Sequence, residues 1–89
     1  MVRVTSFLDG RVQGVGMRFA VHDLARYYPI LGFVQNLSDG RVQIVMEGED
    51  EQIESFLSRL REVAPGAIHD ISSFRSTASG EFTRFEIRR

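Results

Sequence analysis

The chain has 89 residues, no cysteine, 43% hydrophobic and 26% charged residues, and a formal net charge of −1. A chain of this size supports one small core that hides only about 60% of its unfolded surface. The composition excludes a disulfide framework and a thiolate nucleophile, and the missing basic excess argues against a broad nucleic-acid surface. The amino end, Met1-Val2-Arg3-Val4-Thr5-Ser6, lacks the apolar run of a signal peptide, and no segment approaches membrane-spanning length. One domain over residues 1–89, no membrane partner, a monomer and a cytoplasmic location are therefore expected.

Residues 2 to 9 mix apolar and polar side chains around Val2, Val4, Phe7 and Leu8, and Gly10 closes the run, which predicts a first strand. From Met17 the apolar positions Val21, Leu24, Ala25 and Tyr28 recur at helical spacing until Pro29 ends the pattern. Leu31 to Asn36 and the alternation Val42, Ile44, Met46 flank the turn former Ser38-Asp39-Gly40, which predicts a hairpin. Glu49-Asp50-Glu51 suits a helix start, with Ile53, Phe56, Leu57, Leu60 and Ala64 along one stripe and Pro65-Gly66 as its stop. The last quarter holds Ile68, Ile71 and Phe74, a Ser76-Thr77-Ala78-Ser79-Gly80 turn and the alternating Phe85 and Ile87. It predicts one or two strands, with a bulge before Ile71.

The stretch Gly10-Arg11-Val12-Gln13-Gly14-Val15-Gly16-Met17-Arg18 sits where the first strand hands over to the first helix. Gly14 and Gly16 permit backbone angles that turn consecutive N–H groups toward one anion. A helix starting near Arg18 adds its positive end and a guanidinium fork. A nucleotide-triphosphate loop does not fit, because all 11 basic residues are arginine. Nor does the dinucleotide fingerprint, whose third glycine is replaced by Phe19. Taken alone, the loop serves equally well as a tight strand-to-helix turn. His22 and His69 lack metal-ligand spacing, so neither a metal nor another cofactor is expected.

The element order is that of a split βαβ sandwich, an α+β fold with two helices on one face of an antiparallel four- or five-stranded sheet. If the first helix returns the chain across the sheet, the second strand runs along the first and its end, Asn36, reaches the rim that carries the glycine loop.

Gly10 to Arg18, followed by Gly32-Phe33-Val34-Gln35-Asn36 and Asp39-Gly40, resembles the acylphosphatase family over essentially the whole chain. The resemblance implies a ferredoxin-like sandwich that hydrolyses the carboxyl-phosphate bond of small-molecule acyl phosphates without a metal. It further implies that Arg18 binds phosphate, that the N–H groups of Gly14, Val15, Gly16, Met17 and Arg18 form an anion cradle, and that Asn36 positions the attacking water. Met17 stands where phenylalanine is frequent in that family, Phe33 where tryptophan is, and Tyr28-Pro29-Ile30 departs from the usual helix exit. RNA-recognition domains share the element order, but Gly32-Phe33-Val34 is too short a fragment of their aromatic motif, and no nucleic-acid partner is expected. Similar domains at the front of hydrogenase-maturation proteins make carbamoyl phosphate the alternative ligand.

Overall fold

In the first strand the inward residues are Val4, Ser6 and Leu8, all fully buried. The buried Ser6 hydroxyl is paired with the hydroxyl of Ser73 at 2.8 Å, so its polar group is satisfied. The computed structural model describes residues 1–89. Its elements are β1 (Val2–Arg11), α1 (Met17–Ala25), β2 (Leu31–Asn36), β3 (Val42–Gly48), α2 (Asp50–Val63), β4 (Ala67–Thr77) and β5 (Phe85–Arg88). The strands form one sheet in the order β4-β1-β3-β2-β5.

Both helices feed one core. Met17, Val21 and Ala25 of α1 and Ile53, Phe56, Leu57 and Leu60 of α2 pack with Val4, Leu8, Val34, Val42, Ile44 and Met46 of the sheet. The Tyr28 ring meets Phe56 edge-on, with centroids 5.6 Å apart, and ties the exit of α1 to α2. Helix α1 ends at Ala25, short of Pro29. The N–H groups of Tyr27 and Tyr28 reach back only three residues, to the carbonyls of Leu24 and Ala25. The residue before proline is disfavoured in helical geometry, which loosens the winding ahead of the ring.

β1 continues past Gly10 to Arg11 alongside β4. Asp9 faces Asp70 and Gly10 faces Ile68, so His69 is the extra residue of a bulge, in the region before Ile71 where one was expected. β4 also absorbs Ser76 and Thr77, which the sequence suggested as turn residues. The sheet is mixed, because β5 pairs parallel with β2 while the other pairs are antiparallel. β4 runs against β1, and the segment 78–84 reverses the chain, so β5 enters along the direction of β2.

That returning segment is held by Glu47. Its carboxylate accepts from the N–H of Ser79 at 2.8 Å and of Gly80 at 2.9 Å, from Arg3 Nε at 2.7 Å and from the Ser79 hydroxyl at 3.0 Å. Burial pushes the Glu47 carboxyl upward, but these donors, the two backbone N–H groups foremost, outweigh it and lower the pKa from 4.5 to about 2. On the sheet face away from the helices, Phe82 meets Phe33 edge-on and Arg88 lies 3.8 Å over the Phe33 ring.

Val42 sets the level of the site. It is the register partner of Leu8 on one side and of Asn36 on the other. β1 and β2, parallel to each other across β3, therefore deliver the glycine loop and Asn36 to the same rim.

Candidate active site

The segment between β1 and α1 must turn from extended to helical backbone within a few residues. Gly14 at φ 73° and Gly16 at φ 85° accomplish this in left-handed geometry, and Gly16 is the N-cap of α1. A Cβ at either position meets no atom within 4 Å, so backbone angle rather than crowding calls for glycine.

The first main-chain bond of α1 is donated by Ala20 to the Gly16 carbonyl at 3.0 Å. The N–H groups of Met17, Arg18 and Phe19 are thus the free donors at the helix start, where the helix dipole favours an anion. No acidic residue stands in that first turn to compete for the cation beside it. Arg18 is half-buried. The chain's ion pairs use other cations: Met1, Arg3, Arg41, Arg59, Arg75, Arg84 and Arg88.

A cavity of about 110 Å³ lies over these donors, lined by Arg18, Asn36, Gly14, Gly16 and Met17, with Val12 and Phe19 as its apolar neighbours. Arg18 and Asn36, 18 positions apart in the chain, thus share one small space. Val15 does not line it. Its side chain packs against the core and touches the place where a Cβ on Gly66 would stand, 2.9 Å from Val15 Cγ2, so it is directed away from the cavity.

Asn36 Oδ1 is buried without a hydrogen-bond partner. Within the chain it is an unused acceptor facing the cavity side of β2, open to a donor such as water.

Gln13 was not singled out by the sequence, where one polar residue in a loop carries no periodic signal. Its Nε2 donates to the carbonyl of Leu37 at 2.7 Å and of Arg41 at 3.0 Å. The glycine loop is thereby tied to the β2–β3 turn that follows Asn36. A larger cavity of about 240 Å³, lined by residues of α2, β4 and the turn between them, shares no residue with this one.

The fold is an α+β domain with two helices on one sheet face, and it brings a helix-start donor set and a carboxamide to one small cavity. The acylphosphatase family model matches residues 4–87, and the chain belongs to the acylphosphatase family, whose members are hydrolases of acyl phosphates. An acylphosphatase from Syntrophotalea carbinolica is 38% identical over 98% of this chain and 96% of its own length. The crystal structure of acylphosphatase from Bacillus subtilis superposes with a TM-score of 0.93 at 36% identity, covering 100% of both chains. Full-length HypF in its phosphate- and nucleotide-bound form matches at 32% identity with a TM-score of 0.88, through only 12% of that longer chain.

No helix is long and apolar enough to cross a membrane.

Proposed function

We propose that this chain hydrolyses acyl phosphates to carboxylate and orthophosphate by attack of a water held at Asn36. Arg18 and the N–H groups of Gly14, Val15, Gly16, Met17 and Arg18 grip the phosphoryl group, and no metal takes part. Residues 1–89 are taken as one acylphosphatase-like domain acting as a cytoplasmic monomer on a small molecule. The single observation behind the assignment is the unpartnered Asn36 Oδ1, buried in the cavity it shares with Arg18 and both left-handed glycines.

The chemistry asks little beyond these groups. The water oxygen bonds to phosphorus as the bridging P–O bond breaks, the electron pair leaves with the carboxylate, and the water's proton ends on phosphate. A carboxylate is stable at neutral pH and leaves without a general acid. The remaining demands are charge and position. Arg18 and the loop amides face oxygens that carry negative charge throughout, and fixed donors need no reorganisation as that charge shifts. Asn36 accepts from water through Oδ1 and fixes its approach without first removing a proton.

The test is hydrolysis of benzoyl, acetyl and carbamoyl phosphate by the parent in the presence of a chelator, alongside Arg18→Ala and Asn36→Ala. The parent is expected to turn over acyl phosphates undiminished by chelation, with each variant slower by about a hundredfold to a thousandfold. Activity that disappears with the chelator, or a folded variant at the parental rate, refutes the assignment.

A further inference from the structure

We propose that Phe19 is the acyl-recognition residue, an aromatic wall at the mouth of the phosphate cavity that biases the enzyme toward acyl phosphates carrying a flat or bulky apolar acyl group. The inference rests on the activity proposed above and names the substrate class for that same site.

Size comes first. The cavity of about 110 Å³ is smaller than the ~150 Å³ of an engineered apolar cavity that takes up a benzene ring. Its polar donors are committed to the phosphoryl group and one water. The acyl part of any substrate larger than acetyl phosphate must therefore lie at the cavity mouth, against whatever side chain stands there.

Phe19 is the side chain so placed. It lines the cavity yet is 60% exposed. The ring–ring contacts of the fold join Phe7 to Phe74, Tyr28 to Phe56 and Phe33 to Phe82, so none of them uses Phe19. The exposed apolar residues elsewhere, Met1, Tyr27, Val63 and Phe74, are not among the cavity's lining residues.

Helix position explains the placement. The buried stripe of α1 runs through Met17, Val21 and Ala25, and a residue two positions after Met17 projects about 200° around the helix from it. The ring is thus carried off the core while its own N–H remains one of the free donors at the helix start. One residue presents both a phosphate donor and an apolar surface, and the two parts of an acyl phosphate need those same two neighbours. An offset or edge-on contact between the ring and an aromatic acyl group adds to the area it hides from water.

The experiment compares kcat/KM for benzoyl phosphate and acetyl phosphate in the parent, Phe19→Ala and Phe19→Tyr, with the inhibition constant of inorganic phosphate for each. In Phe19→Ala the benzoyl-to-acetyl ratio is expected to fall about fivefold to tenfold, the size of an aromatic contact. The loss should appear mainly in KM, because the contact is made equally in ground and transition states. Phe19→Tyr, which keeps the ring, is expected to hold the ratio near the parental one. A ratio within twofold of the parent in Phe19→Ala overturns the inference, as does a tyrosine variant that loses as much as alanine. A parent that hydrolyses neither substrate overturns the activity proposed above, and this inference with it, which distinguishes the two failures.

Discussion

Replacing Asn36 with alanine separates the roles of that residue more sharply than any other change. If the carboxamide fixes the attacking water, its loss slows turnover by about a hundredfold to a thousandfold, or about 3–4 kcal/mol of transition-state stabilisation. The effect should fall on kcat more than KM, because Arg18 and the loop amides still hold the substrate.

Stability should hardly move. Oδ1 has no partner within the chain, so alanine breaks no intramolecular hydrogen bond and gives up only the contact with the held water. The packing lost with the carboxamide is modest, since Asn36 is only half-buried. The variant is therefore expected to match the parent to within about 0.5 kcal/mol, a Tm change of about 2–4 °C in a domain of this size. Thermal melts without phosphate, paired with steady-state hydrolysis of benzoyl phosphate, read both quantities. A variant that melts about 4 °C or more below the parent shows that the amide is structural. One that keeps the parental kcat shows that water is not held there.

Arg18→Lys keeps the charge but loses the two-toothed grip on phosphate oxygens, so it is expected to restore only part of what Arg18→Ala loses, read in kcat/KM and in phosphate inhibition. Full restoration would mean that charge alone suffices. Gln13→Ala removes two hydrogen bonds between the glycine loop and the hairpin; a stability loss of about 1–3 kcal/mol in urea titration is expected, with kcat reduced more than KM. Unchanged kinetics in a destabilised variant would limit Gln13 to scaffolding.

Glu47 gives a pH signature. Its folded pKa is lowered from 4.5 to about 2, so its contribution is complete above pH 4.5 and is lost as pH falls toward 2. That depression corresponds to about 3 kcal/mol. Glu47→Gln should be less stable at neutral pH and show a flatter loss between pH 4.5 and 2, followed by urea titrations across that range. An acid profile parallel to the parent's would contradict the assignment.

Where side-chain pattern and chain geometry agree, the fold was legible in advance. The stripes of α1 and α2 and the alternation of Val42, Ile44 and Met46 mark their elements directly. The parallel course of β1 and β2, which follows from a helix that returns the chain across the sheet, is what brings Arg18 and Asn36 to one rim.

What escaped depends on partners distant in sequence. β3 runs on to Gly48 through Glu47, a charged residue that looks like an end to the alternation until its donors on residues 79 and 80 are known. Ser76 and Thr77 read as turn formers, yet they lie on an edge strand whose exposed residues show no alternation. The parallel pairing of β5 follows from the path of the 78–84 segment, which leaves no periodic trace. Gln13 was missed for a similar reason, since both of its acceptors lie beyond β2.

The place of Val42 between Leu8 and Asn36 has a consequence for how activity is acquired. The loop and the carboxamide reach a common level only after β3 has inserted between two strands that precede it in the chain, a closure of non-local contacts that is slow relative to helix formation. Turnover during refolding should therefore return late, after helical signal has recovered. Catalysis in this chain doubles as a clock for completion of the central sheet.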